Sequence, residues 1–356
     1  MLLAAAIHAQ AASARRVKVA LVGDSVVEGS GAPRGDLATW VRWELRRLGA
    51  DVGANGYVAA HTSTFTTGTG GAELSFPWTY SPGWTLDGLG LGLPSAFGAN
   101  GRMSETSDSS AFATAELEGD RFAVLFAHAP DAGRFAFLVD DRSVTVDARS
   151  AHIDGSGIRW VAAPDASSKH VVTIGGARDG ILRFTGAIAR TALRPDTDQI
   201  EVSGVGQACA CATDPLPRTR AEALALLRPN ITLLMLGLNG EGQFLTTGDR
   251  QIETTYVAGL ERRERIARRH GGTCVVVPHP PDPRPPEAQR LFERLARKAA
   301  KAGGCTFAPV LDRLWDGGTS ARLGLTIDGI HPTPRGYRRM AGRLARLILS
   351  VARVTP

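Results

Sequence analysis

Long hydrophobic runs are missing from this sequence. No stretch approaches the roughly 20 apolar residues that a membrane-spanning helix needs, so stable membrane insertion is not expected. Cysteine is scarce, with four in 356 residues. That excludes a small disulfide scaffold. No Cys/His spacing reads as a zinc site, and the expectation for metal is none. Cys209 and Cys211 are too close for a relaxed bridge. Cys274 and Cys305 each begin a predicted strand, and a bridge between them stays open. Buried free thiols are the expected state of all four. No glycine-rich phosphate loop is present, and no cofactor is expected. Acidic residues are outnumbered, 35 against 41 Lys plus Arg, for a net charge of +6. The arginines concentrate on predicted helix faces (Arg262, Arg263, Arg265, Arg268, Arg269; Arg335, Arg338, Arg339, Arg343, Arg346). No aromatic-interleaved basic platform accompanies them. They read as solvated surface, and nucleic acid is not an expected partner.

What the chain does have is a short β-branched run, Val17 to Val22, closed by Gly23-Asp24-Ser25. It reads as a buried strand of a parallel sheet, with Ser25 at its carboxyl end. Ligands bind at that edge in open α/β sheets. A serine hydroxyl is a weak nucleophile without a base. A base is found far along the chain, in Thr326-Ile-Asp-Gly-Ile-His-Pro332. Asp328 and His331 are three residues apart in a loop before a helix, a spacing that lets the carboxylate orient the imidazole. Between these two stretches, Asn230 to Leu236 reads as another buried strand, and Asn239 follows it in Gly237-Leu-Asn-Gly240. Its amide on the same sheet edge is an oxyanion donor candidate. Asp24 reads as a cap or brace for the turn. His279, on a sheet-edge loop, reads as surface or packing ahead of a pocket role, as do the remaining histidines.

These pieces occur in the order found in the SGNH (GDSL-type) hydrolases, which the chain resembles over residues 17–50 and about 200–352. The resemblance implies an α/β fold: a three-layer α/β/α, flavodoxin-like core. It implies a Ser25–His331–Asp328 triad, with an oxyanion hole made by Ser25, Asn239 and a backbone N–H from the second-strand loop, for which Gly206 is the candidate and Gln207 the alternative. Two positions depart from the family pattern. The loop Val202-Ser-Gly-Val-Gly-Gln-Ala208 puts Gln207 where the family has its oxyanion glycine, with Gly206 one residue early. Gly240 replaces the usual Asp after the Asn.

The middle of the chain follows another rhythm. Residues 1–16 form an N-terminal extension or signal-like segment, with both readings open: an Ala12-Ser13-Ala14 end but no basic start. Residues 17–52 and 198–356 make the discontinuous hydrolase core. Residues 53–101 are a connecting region rich in glycine and aromatics, and Trp78, Tyr80 and Trp84 read as local core ahead of sugar contacts. Residues 102–197 read as an inserted all-β sandwich or jelly roll. It includes Arg121–Ala127 as a strand and a hairpin across Asp140-Asp141. Its pattern resembles the carbohydrate-binding-module-like sandwiches attached to some SGNH esterases.

The expectation is a serine esterase removing O-acetyl or short acyl groups from a carbohydrate or cell-wall polymer. A small ester is the simplest substrate. Lipid-like acyl substrates (a lipase, lysophospholipase or thioesterase) are one alternative. A glycan-binding or adhesion module on an inactive scaffold, secreted or in a virion tail, is the other. A secreted or surface-associated protein is expected, with the cytoplasm left open.

Overall fold

The computed structural model describes residues 15–353 except 31–34, 66–70, 75–76, 88–96, 154, 165–168, 194–196, 208–209, 215, 238, 240–249, 270 and 316–318. The chain begins with β1 (Arg16–Gly23), the short α1 (Ser25–Glu28), α2 (Leu37–Arg47) and β2 (Asp51–Val52). Strands fill the middle: β3 (Gly56–Ala59), β4 (Thr62–Phe65), β5 (Gly71–Leu74), β6 (Thr79–Tyr80), β7 (Thr85–Asp87), β8 (Met103–Thr106) and β9 (Phe112–Glu118). They continue with β10 (Arg121–Ala127), β11 (Arg134–Val139), β12 (Arg142–Asp147), β13 (Ser156–Ala162), β14 (Lys169–Arg178) and β15 (Leu182–Arg190). Then come β16 (Gln199–Gly206), α3 (Arg218–Leu226), β17 (Ile231–Met235), α4 (Arg250–Arg268) and β18 (Thr273–Val276). The chain closes with α5 (Pro286–Gly303), β19 (Thr306–Phe307) and α6 (Pro334–Ala352).

The first sheet is parallel, in the order β19-β18-β17-β1-β16-β2. Alternate residues of β1 enter two different apolar clusters. Val17, Val19 and Leu21 pack with Leu37, Val41 and Leu45 of α2 and Tyr337 and Met340 of α6. Ala20 and Val22 pack with Leu224 of α3, Leu260 of α4 and Leu295 of α5. Burial on both faces explains the unbroken apolar run and makes three layers. β1 lies between β16 and β17, so the topology switches sides at its carboxyl end, where Ser25 sits.

Most of the remaining strands build a sandwich, while β4 and β5 pair with each other in a separate two-stranded sheet. One sheet runs β13-β10-β15-β8-β7, with β3 also on β15; the other runs β12-β11-β14-β9-β6. Phe122, Phe135, Phe137, Ile174 and Phe184 fill the space between them. Strands β3, β6 and β7, from the connecting region, therefore belong to these sheets. Trp78 is buried edge-on to Phe184, and Tyr80 and Trp84 pack against the same cluster, so these aromatics are local core. The outer face of the β10 sheet is covered as well. Ala123, Leu125 and Ile188 join the cluster that holds Ala223 and Leu224 of α3.

Two expectations are corrected. Val202 to Gly206 is not a loop but the end of β16. Its glycines mislead because they serve close approach: a Cβ on Gly204 would lie 1.8 Å from Asp36 Oδ2, and one on Gly206 would lie 2.0 Å from Glu28 N. Cys274 and Cys305 are not free thiols; they form a disulfide, with Cα atoms 4.8 Å apart on adjacent strands. Cys211 is not in a disulfide, and Cys209 lies outside the described residues. No helix among the described residues is long and apolar enough to cross a membrane.

Candidate active site

Gly23 must be a glycine. A Cβ there would meet Val27 Cγ2 at 2.4 Å and the Met235 carbonyl oxygen at 2.6 Å. The chain can thus turn directly from β1 into α1. Asp24 caps that helix, its Oδ1 accepting from Val26 N–H at 3.0 Å. Ser25 opens the first turn and is buried. The first N–H groups of a helix have no partner within it, so the Ser25 N–H has no acceptor inside α1.

His331 comes to Ser25 from the other end of the chain. Its Nε2 lies 3.0 Å from Ser25 Oγ, and its Nδ1 lies 2.7 Å from Asp328 Oδ2. Asp328 Oδ1 also accepts from the N–H groups of Ile330 (2.9 Å) and His331 (2.8 Å). Partial burial opposes charge on Asp328, but the His331 ring and these N–H groups outweigh it and hold the carboxyl below its ordinary range. The loop is tight: Ile327 N–H donates to the His331 carbonyl at 2.8 Å, and Gly329 turns with φ +88. Thr333 caps α6, and from that helix Tyr337 returns to the turn that carries Ser25. Its hydroxyl lies 2.9 Å from the carbonyl oxygens of both Val26 and Ser30. Burial and nearby carboxylates raise its pKa far above the ordinary value, which keeps the phenol a donor.

Asn239 follows β17 on the same edge. Its Nδ2 donates to the Ala210 carbonyl at 3.0 Å, which occupies one of its two amide hydrogens. Gly206 ends β16 in register with Gly23. The N–H of Gln207 donates to the Gly23 carbonyl at 3.1 Å. Gly240 lies outside the described residues.

Three further side chains were not read from the sequence as parts of this site. His279 is buried, with Nε2 2.8 Å from Asp24 Oδ2 and 3.2 Å from the Met235 carbonyl oxygen. Burial works to lower its pKa, but the Asp24 carboxylate overrides that, and the net shift is upward. Arg102, just before β8 of the sandwich, reaches Glu28 at the last position of α1. Nε and Nη2 each donate at 3.0 Å to separate carboxylate oxygens, and both side chains are fully buried. Tyr337, whose hydroxyl meets the Val26 and Ser30 carbonyls, is the third. For His279 a signal existed, a histidine on the sheet edge. For Arg102 there was none, because its partner is 74 residues away. Among the described residues, no three His, Cys, Asp or Glu side chains converge as metal ligands.

A buried serine, a histidine on its hydroxyl, and a carboxylate on the far ring nitrogen form an arrangement that can activate an alcohol for acyl transfer. The class the fold defines is an α/β hydrolase. The family comparison agrees: the model of the GDSL-like lipase/acylhydrolase family matches residues 151–339, and the chain belongs to that family. The matched span contains Asn239, Asp328 and His331 but not Ser25. No curated protein matches. Similar solved structures include the YxiM protein of Bacillus subtilis, with 9% identity, TM-score 0.39, and coverage of 78% of this chain and 92% of that one. A family two carbohydrate esterase from Clostridium thermocellum, in complex with cellohexaose, has 13% identity, TM-score 0.35, and coverage of 70% and 94%. The acetyl-xylooligosaccharide esterase Axe2 of Geobacillus stearothermophilus has 17% identity, TM-score 0.34, and coverage of 42% and 73%. With scores this low, family membership rests on the family match.

Proposed function

We propose that the protein is a serine esterase that removes O-acetyl or short acyl groups from a carbohydrate. His331 Nε2 takes the proton of Ser25 Oγ as the oxygen attacks the ester carbonyl carbon. Asp328 holds the ring and balances the imidazolium. The negative oxygen of the tetrahedral intermediate is received by the Ser25 N–H and the free amide hydrogen of Asn239. Gly206 is assigned as the third donor, since the N–H of its neighbour Gln207 is committed to Gly23. The intermediate collapses as His331 gives its proton to the departing alcohol. Water, deprotonated by His331, then releases the acid from Ser25.

The observation that carries this reading is the pair of short contacts at His331, 3.0 Å to Ser25 Oγ and 2.7 Å to Asp328 Oδ2. The carbohydrate half of the substrate rests on the sandwich, whose architecture resembles carbohydrate-binding modules. The test is hydrolysis of p-nitrophenyl acetate, butyrate and octanoate by wild type and Ser25→Ala. The expected result is cleavage that falls with chain length and drops by about 10⁴-fold or more in Ser25→Ala. Cleavage that rises with chain length would move the substrate to lipid-like acyl groups. Activity retained in a folded Ser25→Ala variant would overturn the esterase assignment.

A further inference from the structure

We propose that Arg102 and His279 are positioning residues, one supplied by the inserted sandwich and one by the core, that clamp the helix carrying Ser25 at its two ends. The inference rests on the reading of Ser25 as the nucleophile. α1 has only four residues, too few to be stable alone, so its position is set by what holds it. Asp24 stands one residue before Ser25 and Glu28 three after. Each carries a buried carboxylate, and each meets a base from elsewhere in the chain: His279 Nε2 at 2.8 Å from Asp24, and the Arg102 fork at 3.0 Å from Glu28.

The two arms have separate foundations. Arg102 leaves a tight turn, closed by Gly101 N–H donating to the Gly98 carbonyl at 3.1 Å. The turn is fixed to the sandwich through Asn100, which accepts from Tyr57 O–H at 2.9 Å. His279 belongs to the proline-rich segment after β18, which also braces the other two parts of the site. Arg284 Nη1 donates to the Gly237 carbonyl at 3.0 Å, near Asn239. A Cβ on Gly329, between Asp328 and His331, would lie 2.4 Å from Pro283 Cγ. One segment thus touches the nucleophile turn, the Asn239 strand end and the His331 loop. Burying an ion pair costs desolvation that hydrophobic packing avoids, so bulk stability is a weak reason for either pair. A fork that fixes one orientation is a better one, because a displacement of about 1 Å at a reacting group costs about 10²-fold in rate.

The experiment measures kcat and KM for p-nitrophenyl acetate, and the rate of Ser25 labelling by a small fluorophosphonate, in the full chain. The variants are Arg102→Ala, Arg102→Lys, His279→Ala, His279→Gln and the neutral pair Glu28→Gln/Arg102→Gln. Phe137→Ala, in the sandwich core, is the control for general destabilisation. The proposal expects kcat and labelling rate to fall about 10- to 100-fold in both Ala variants, with KM within about twofold. Arg102→Lys and His279→Gln should recover part of the loss, since each keeps a donor. The control should melt earlier yet keep its kcat at assay temperature. Should Arg102→Ala not fold, the neutral pair carries the test, because it leaves no unpaired buried charge. Wild-type kcat and labelling rate in folded His279→Ala and neutral-pair variants would overturn the clamp. A wild type that neither hydrolyses nor labels would overturn the reading of Ser25, and the clamp with it.

Discussion

The parallel sheet and the inserted sandwich bury their strands differently. In the core, β1 and β17 are covered by helices on both faces, and every residue of Ile231–Met235 is buried. In the sandwich, β9 and β11 alternate buried and open positions, as strands with one wet face do. β10 breaks that rule. It is antiparallel, yet every residue after Arg121 is buried. One face meets the sandwich core and the other enters the apolar cluster that also holds Ala223 and Leu224 of α3. The insertion is therefore a fourth layer of the hydrolase rather than a module hung on a linker, and Arg102 carries the connection to the helix that holds Ser25.

The largest expected effect comes from removing the insertion. Replacing residues 53–197 with a short linker would strip one face of α3 and leave Glu28 buried without its partner, a loss of about 3–5 kcal/mol from the ion pair alone. No folded hydrolase should result, as read by circular dichroism and limited proteolysis. A stable, active core would show the two regions to be separable. In the intact chain, calorimetry should find core and sandwich unfolding together, and two well-separated transitions would break the same claim.

A middle-sized effect should be confined to the core. The Cys274–Cys305 bridge spans a separation of 31 residues. By the chain-entropy account, reducing it should cost about 3–4 kcal/mol, seen as a lower urea midpoint in dithiothreitol. An unchanged midpoint would mean the bridge is absent or strained.

The smallest effect concerns Glu264 on α4, which is buried against α5 beside Gly303 and has no hydrogen-bond partner among the described residues. Burial, with Glu261 adding repulsion, raises its pKa from 4.5 to about 7. The folded state holds the proton more tightly than the unfolded state, so the stability this provides is present in acid and is lost as pH rises through about 7. Glu264→Gln should melt with wild type near pH 4.5 and about 2–4 °C above it at pH 8. A melting difference independent of pH would contradict the assignment.

Much of the core was legible because its signals are local. β1, β17 and the helices follow runs and periods of a few residues, and Ser25, Asp328 and His331 each stand at the end of such a run. The strand at Val202–Gly206 was missed because its glycines look like a loop until α1 and Asp36 are seen pressed against them. The docking of the sandwich had one local trace, the unbroken apolar run from Phe122 to Ala127, which says that a strand is covered twice without saying by what. The Glu28–Arg102 pair had no trace. It depends on where two distant segments come to rest, and neither residue type announces a partner.

The most direct test of the central claim is covalent labelling of the full chain with a fluorophosphonate, followed by peptide mass spectrometry. The account predicts a single modified residue, Ser25, with labelling lost in Ser25→Ala and in His331→Ala. No labelling of a folded wild type, or a label on another serine, would contradict it.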